Sequence, residues 1–206
     1  MSEIGNLYVI SAPSGTGKTS LVKTLVDSIP TISVSISHTT RPKRPAEEHG
    51  VNYYFIDKNE FLRMSEHHDF LEYATVFNNL YGTSRSWVES MLNRGIDVIL
   101  EIDWQGALQI QQLFSDCISI FIVPPSLDAL SQRLLQRNQD KPDVIRKRLA
   151  DAQETLSHIF NYDYVVLNDD FETALNDLKT IILAGRLTKQ RQIKKLAPLL
   201  EELSAS

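Results

Sequence analysis

A short apolar run leads directly into a loop of small residues and then into Gly17-Lys18-Thr19. The run covers residues 7–11, the loop covers residues 12–17, and apolar pairs at 21–22 and 25–26 follow with helical spacing. Small residues let consecutive backbone N–H groups converge on phosphate oxygens, while the lysine reaches the outer phosphates and the threonine hydroxyl can ligate magnesium. The segment therefore predicts a nucleotide phosphate cradle between a strand and a helix.

Ala12 stands where the pattern G-x-x-x-x-G-K-[ST] has its first glycine. The backbone at that position must tolerate a Cβ, and alanine is the mildest replacement. The alternative is a glycine-rich turn before an ordinary helix, but the apolar run before the loop and the apolar pairs after it favour the cradle. We therefore assign ATP contacts to the whole loop: Ala12, Pro13, Ser14, Gly15, Thr16, Gly17, Lys18 and Thr19.

Composition narrows the class of protein. The chain has 206 residues, 42% of them hydrophobic, which suits one domain with a substantial core. A net charge of −5 argues against a nucleic-acid partner, whose binding needs a basic surface. Cys117 is the single cysteine, the apolar runs are far shorter than a membrane span, and no signal sequence opens the chain. We expect a cytoplasmic protein without a membrane partner.

Further apolar runs alternate with helix-like patterns. The runs lie at 96–102, 117–123 and 164–167, and this alternation predicts a central parallel sheet. Helix starts are predicted at Ser84, at Asp57 with Glu60, and at Asp169 with Glu172. From Phe171 onward the pattern predicts one long amphipathic helix.

Two stretches interrupt this rhythm. The first, about 33–93, mixes short strands with basic loops and is interpreted as an inserted substrate-binding lobe. The second, about 126–159, contains two arginine-rich helical segments around a polar turn that ends at Pro142, as expected of a mobile lid. The core then consists of 1–32, 94–125 and 160–206.

The apolar run at 96–102 ends in acidic residues. Glu101 and Asp103 are two apart, so a strand projects them to the same side. An acid at the end of a neighbouring parallel strand commonly holds the magnesium of a phosphate cradle, usually through water, and Asp103 is the first candidate together with Thr19. The alternative is that Asp103 caps the helix that follows, and the two roles can coexist.

A proline-stiffened loop carries two arginines three residues apart, Arg41 and Arg44, just after several hydroxyl side chains. Such a loop can clamp a phosphate, although a cluster of this kind is equally typical of a solvated surface. The cradle upstream favours the phosphate clamp.

At this point the chain closely resembles guanylate kinases, which use ATP to phosphorylate GMP. The resemblance covers nearly the whole sequence and rests on segments 11–19, 37–47, 50–53, 70–72, 81–84, 101–106 and 166–170. It implies a P-loop α/β fold of three α/β/α layers around a parallel sheet, with a mixed lobe that binds the nucleoside monophosphate and a helical lid. It also implies Mg²⁺-dependent transfer of the ATP γ-phosphate to GMP, and to dGMP, without a covalent enzyme intermediate.

The resemblance also implies a set of GMP contacts. Ser37, Arg41, Arg44, Tyr53 and Tyr81 should hold the GMP phosphate, and Glu72 and Thr83 should recognise guanine. Glu47, Gly82 and Asp103 complete the set. The chemistry of Glu72 agrees, because guanine presents N1–H and its 2-amino group as adjacent donors to one carboxylate, whereas adenine presents an acceptor at N1. The residue pattern alone would interpret Glu72 as a solvent-facing strand residue.

The predicted lid supplies arginines. Arg133 and Arg137 lie four apart on one helical face, and Arg148 follows the Pro142 turn. The resemblance places such arginines around ATP, where they would stabilise the charge of the moving phosphoryl group, and it places Asn168 near the adenine. The catalytic set is then Lys18, Arg41, Arg137 and Arg148. The alternatives are surface ion pairs for the arginines and a turn for Asn168.

Three alternative functions remain: a module that binds phosphorylated peptides, a regulatory GTPase, and a kinase for another nucleoside monophosphate. Lys18, Thr19 and Asp103 argue against the first, and the lack of an N/T-K-x-D motif argues against the second. Glu72 is the residue that discriminates a kinase for GMP from the third alternative, a kinase for another nucleoside monophosphate. Departures from the family at Ala46, Asn78, Glu101, Gln136 and Asn138 affect loop conformation but remove no charged catalytic group. The expected partners are ATP and GMP, with the oligomeric state left open.

Overall fold

The computed structural model describes residues 4–136 and 142–204. In chain order its strands are β1 (Leu7–Ser11), β2 (Ile32–Val34), β3 (His38–Thr39), β4 (Tyr54–Phe55), β5 (Phe70–Val76), β6 (Asn79–Ser84), β7 (Asp97–Glu101), β8 (Ile118–Val123) and β9 (Tyr164–Leu167). Its helices are α1 (Lys18–Ser28), α2 (Lys58–Glu66), α3 (Arg85–Asn93), α4 (Trp104–Leu113), α5 (Leu127–Gln136), α6 (Pro142–Ser157), α7 (Phe171–Gly185) and α8 (Lys189–Ser204), with a 3-10 turn at Ile159–Asn161. The strands form two sheets of different character.

The first sheet has five parallel strands in the order β2-β7-β1-β8-β9. Four of its strands coincide with the apolar runs at 7–11, 96–102, 117–123 and 164–167, so the predicted parallel sheet is confirmed. Because the strands are parallel, their carboxyl ends meet at one edge, where α/β folds bind ligands. That edge brings together the ends of β1, β7 and β9.

Helices cover both faces of this sheet. Along β1, Leu7 and Val9 pack in a buried cluster with α3 and α4, whereas Tyr8 and Ile10 pack in a second cluster with α1 and α7. Successive strand residues point to opposite faces, so a strand buried on both sides reads as a continuous apolar run. The predicted three-layer α/β/α architecture is confirmed.

The second sheet has the order β4-β3-β6-β5 and mixes one parallel pair with two antiparallel pairs. One of its faces is apolar, because Phe61 of α2 lies 4.6 Å from the ring of Phe70 and both surround Gly82. The ladder between β5 and β6 contains a β-bulge between Phe70 and Glu72, and the three residues 70–72 are all buried. A bulge re-aims side chains and breaks alternation, which is why the residue pattern misassigned Glu72 to solvent.

The C-terminal segment contains two helices, so the prediction of one long helix was wrong. The fully buried carboxylate of Asp97 accepts hydrogen bonds from Arg186 Nε at 2.7 Å and from Arg191 Nη1 at 2.8 Å. Residues five apart on a straight α-helix point about 140° away from each other. The two arginines can reach one carboxylate because the chain turns between α7 and α8.

Local helix signals were mostly correct. Asp57 accepts from the backbone N–H of Glu60, and Ser84 caps α3 through the N–H of Trp87. The predicted start at Asp169 was wrong by one residue, because Asp170 is the residue that accepts from Thr173 N, at 2.8 Å. Adjacent aspartates offer the same capping chemistry, and the path of the chain leaving β9 decides between them.

The predicted lid segment contains α5 and α6. Pro142 is the first residue of α6, a position where the missing N–H of proline costs no helical hydrogen bond. The polar turn at 137–141 lies outside the described residues. Among the helices of the described ranges, none is both long enough and apolar enough to cross a membrane.

Candidate active site

The phosphate loop lies between β1 and α1. Gly15 and Gly17 have φ angles of +94° and +98°, which L side chains rarely adopt, and Gly17 precedes α1 without a side-chain cap. Ala12 has no positive φ, so its Cβ fits the backbone at that position. The uncapped N-terminus of α1 points its N–H groups into the loop, a geometry that favours phosphate.

Two side chains from distant elements support the loop from outside. Asn168, buried after β9, donates from Nδ2 to the backbone oxygen of Thr16 at 2.6 Å. Arg133 of α5 donates to the same oxygen at 3.2 Å and to the backbone oxygen of Asn168 at 3.1 Å. These hydrogen bonds tie α5 and the end of β9 to the loop, so both residues shape the loop directly.

A cavity of about 400 Å³ opens beside the loop. Its lining includes Gly15, Thr16, Gly17, Ser20, Arg133, Asn168, Asp169 and Phe171. Sequence reasoning missed Ser20, Asp169 and Phe171. The position of Phe171 just after a parallel strand was the available signal, because ligands of such sheets bind at the carboxyl ends of the strands.

Lys18 and Thr19 contact the end of β7. Lys18 Nζ donates to the backbone oxygens of Ile102 at 3.1 Å and Ile10 at 3.4 Å. Burial lowers the pKa of Lys18, while the carboxylates of Glu101 and Asp103 act in the opposite direction. The ammonium group is thus held at the mouth of the loop by main-chain acceptors, in reach of an incoming anion.

Glu101 and Asp103 have separate contacts. Glu101 Oε1 accepts from the Thr19 hydroxyl at 2.6 Å. Asp103 caps α4, accepting from Gly106 N at 3.0 Å through Oδ1 and from Gln105 Nε2 at 3.1 Å through Oδ2. The capping alternative for Asp103 is therefore observed. Glu101, and not the first candidate Asp103, is the carboxylate in contact with Thr19.

The arginine loop is organised around one carboxylate. Arg41 makes a bidentate pair with Glu47, at 2.6 Å from Nη2 and 3.0 Å from Nη1, and the backbone N–H of Arg44 donates to the same carboxylate at 2.9 Å. Burial on its own would raise the pKa of Glu47, but the hydrogen bonds from Arg41 and Arg44 lower it below its usual value. Glu47 thus holds the two arginines in place.

Aromatic rings surround this cluster. The Arg41 guanidinium lies 5.3 Å from the ring centre of Tyr53 and 5.7 Å from that of Phe55, and Tyr53 meets Tyr81 edge-to-face at 5.9 Å. Burial raises the pKa of Tyr53 to about 12, so its hydroxyl stays a neutral donor. Ser37 lies beside them, its backbone oxygen bonded to Tyr54 N at 2.9 Å. Among the predicted phosphate contacts, the side chains of Arg41, Tyr53 and Tyr81 therefore lie next to one another.

Glu72 and Thr83 lie opposite each other on β5 and β6, and the Thr83 hydroxyl donates to Glu72 Oε1 at 2.5 Å. Both side chains are buried. Burial raises the pKa of Glu72 to about 7; the Thr83 hydrogen bond lowers it, and Asp103 raises it further. Gly82 faces the other way, because a Cβ there would lie 3.0 Å from Phe70. A contact between Gly82 and a ligand would therefore have to be made by its backbone N–H or C=O.

Two of the three predicted lid arginines lie in the described part of the chain. Arg133 contacts the phosphate loop, Arg148 lies half-buried on α6, and Arg137 falls outside the described residues.

The two halves of the site meet at the end of β7. Lys18 and Thr19 contact this strand end from one side, while Glu72 approaches the first turn of α4 from the other.

Comparison with known proteins agrees with this geometry. Residues 4–185 match the family described as Guanylate kinase. Proteins named Guanylate kinase from Legionella pneumophila (strain Lens) and Pseudomonas fluorescens (strain Pf-5) are 52% and 55% identical to the chain. Those alignments cover 98% and 97% of the chain, and 97% of each relative. The crystal structure of guanylate kinase from Anaplasma phagocytophilum superposes with a TM-score of 0.75 at 34% identity, covering 93% of this chain and 91% of that one. The chain belongs to the guanylate kinase family.

Proposed function

We propose that this chain transfers the γ-phosphoryl group of ATP to GMP, giving ADP and GDP. The observation that carries the proposal is the shared position of the β7 end. The same short segment accepts from Lys18 and Thr19 of the phosphate loop and leads into the α4 turn that lies against Glu72. A donor nucleotide in the loop and an acceptor nucleotide beside Glu72 would therefore meet at this strand end.

The acceptor half provides both recognition and charge. Arg41 and Arg44, held by Glu47, would bind the GMP phosphate, with the hydroxyls of Ser37, Tyr53 and Tyr81 completing the contacts. The two oxygens of the ionised Glu72 would accept from N1–H and the 2-amino group of guanine, while the Thr83 hydroxyl donates to Oε1 and fixes the carboxylate. Adenine lacks this pair of donors, so the same carboxylate would exclude AMP.

The donor half provides positioning. The N–H groups at the start of α1 and the Lys18 ammonium would hold the β- and γ-phosphates, and Arg133 with Asn168 keep the loop in shape. The GMP phosphate is already an anion, so no strong base is needed. Phosphoryl transfer depends mainly on alignment and on neutralising charge, and the lid arginines, Arg137 and Arg148, are proposed to supply part of that charge.

Magnesium is the proposed metal. The Thr19 hydroxyl and the Glu101 carboxylate are hard oxygen ligands within 2.6 Å of each other, which suits Mg²⁺, and Asp103 follows two residues later. Bound Mg²⁺ would neutralise charge on the ATP phosphates. We assign Thr19 and Glu101 to hold it and keep Asp103 as a contact through water. A cytoplasmic location is proposed with the function, from the single cysteine and the nucleotide substrates.

A coupled assay of ADP formation tests the proposal. With ATP and Mg²⁺ present, turnover is expected with GMP and at least about a hundredfold less with AMP, CMP or UMP, because a site built around a buried polar group rejects analogues that leave it unpaired. Running dGMP in parallel tests the predicted use of the deoxy substrate. Absence of turnover with GMP would refute the function, and a peptide-binding module of this fold would give that result.

The pKa of Glu72 predicts a pH dependence. Because burial raises that pKa to about 7, the carboxyl of the free protein becomes protonated as pH falls below 7, and a protonated carboxyl cannot accept both guanine donors. The GMP dissociation constant is expected to rise by up to about tenfold per pH unit below 7 and to level off above about pH 8. Calorimetric titration between pH 6 and 9 measures it.

The control for this profile is Glu72→Gln, which removes the titrating group. Its weaker binding should retain only the titration of the GMP phosphate, whose second pKa is about 6. Identical pH profiles for the two proteins would contradict the role of Glu72.

A further inference from the structure

The first turn of α4 lies directly against the carboxylate of Glu72. Gly106 is the third residue of this helix. A Cβ built at Gly106 would lie only 2.4 Å from Glu72 Oε2 and 3.0 Å from Glu72 Cδ, whereas ordinary van der Waals contact begins at 3.4 Å. The Glu72 carboxylate therefore occupies the space that any side chain at position 106 would need.

The backbone does not explain this glycine. Gly106 lies within a helix and is not one of the glycines with positive φ, and its N–H donates to the Asp103 cap as any residue could. Glycine inside a helix is less favourable than alanine. The glycine thus lowers the stability of α4, and the carboxylate beside it is the feature that requires it.

Glu72 cannot move aside without losing its geometry. Its side chain is 4% exposed, and Oε1 is held by the Thr83 hydroxyl at 2.5 Å. A side chain at position 106 would press on Oε2, rotating the carboxylate about its last bond or pushing it away from Thr83. In either case the plane of the two oxygens would change, and that plane is what two adjacent donors require.

We propose that Gly106 is a specificity-determining positioning residue: its missing side chain lets the Glu72 carboxylate sit against α4 in the orientation that accepts both donors of guanine. This inference rests on the proposed function.

The test is the variant Gly106→Ala. The KM for GMP is expected to rise by about tenfold or more, since one of two hydrogen bonds to the base is weakened, while the KM for ATP stays unchanged. The kcat at saturating GMP is expected to change far less than the KM. The melting temperature is expected to fall by no more than in Gly185→Ala, because the better helix propensity of alanine offsets part of the strain of the close contact. If the glycine were merely structural, the substitution would lower the melting temperature and leave the KM for GMP unchanged.

Gly185→Ala is the matched control. A Cβ there would lie 2.4 Å from the hydroxyl of Tyr8 and 2.8 Å from Ile118, in the core and away from the site. This variant is expected to lower the melting temperature and leave the KM for GMP unchanged. The pair of variants therefore separates loss of stability from loss of recognition.

A double-mutant cycle with Glu72→Asp shows whether the effect passes through Glu72. Aspartate is shorter by one methylene, so its carboxylate withdraws from position 106. Adding Gly106→Ala to Glu72→Asp is then expected to leave the KM for GMP as it is in Glu72→Asp alone. A wild-type KM for GMP in Gly106→Ala, or full additivity in the cycle, would overturn the inference. A wild-type protein that does not phosphorylate GMP would instead refute the proposed function.

Discussion

Replacing Lys18 with methionine is expected to lower kcat for GMP phosphorylation by about a thousandfold or more, since removal of one fixed charge aimed at the transferring group costs this much in comparable sites. Methionine matches the four-atom aliphatic stem of lysine and lacks only the terminal ammonium. Because burial lowers the pKa of Lys18, removing its charge also removes a desolvation cost, so the fold should not suffer. Steady-state kinetics and thermal melting measure the two effects.

Binding of GMP should survive this change, because the arginine loop and Glu72 do not contact Lys18 through any hydrogen bond in the described part of the chain. Lys23→Met is the matched control, since Lys23 lies exposed on the same helix and should keep wild-type kcat. Retention of kcat within about tenfold would remove Lys18 from the transfer step. Equal loss of GMP binding would indicate a disturbed fold.

Replacing Glu72 with glutamine is the second change with a large expected effect. Glutamine preserves volume, and its carbonyl oxygen can still accept from Thr83, but its amide group donates where guanine also donates. The value of kcat/KM for GMP is expected to fall by about a hundredfold or more, because a buried donor of the substrate is left unpaired. The ratio of GMP to AMP turnover should fall with it.

Stability provides a check on this variant. Burial raises the pKa of Glu72, so its ionised form is costly in the folded protein at neutral pH, and a neutral amide should keep or increase the melting temperature. Glu89→Gln on the exposed side of α3 is the control and should change neither quantity. An unchanged preference for GMP in Glu72→Gln would exclude Glu72 from the base site.

Regular local patterns in the sequence predicted much of the fold correctly. Continuous apolar runs located four of the five parallel strands, because a strand buried on both faces has no polar side. Capping residues located α2 and α3, because a side-chain oxygen three residues before a free N–H acts locally. The turn between α7 and α8 escaped detection, because it depends on Asp97, nearly ninety residues earlier in the chain.

In the site, too, some features could be predicted from the sequence and others could not. The phosphate loop was predictable because its chemistry lies in consecutive residues. The burial of Glu72 was not predictable from alternation, since a β-bulge interrupts the ladder at that point. The resemblance to guanylate kinases singled the residue out, and the packing of α4 against β5 explains how a carboxylate comes to be buried there.

The sequence by itself determined that this chain binds nucleotide phosphates on a parallel α/β sheet, because strand, loop and helix follow one another within thirteen residues. Only the tertiary structure decided how the acidic residues are shared. Glu101 reaches Thr19, Asp103 caps α4, Glu47 holds Arg41, and Glu72 rests against Gly106. The reason is that equivalent carboxylates differ only in what approaches them from distant parts of the chain, and local spacing contains no record of that approach.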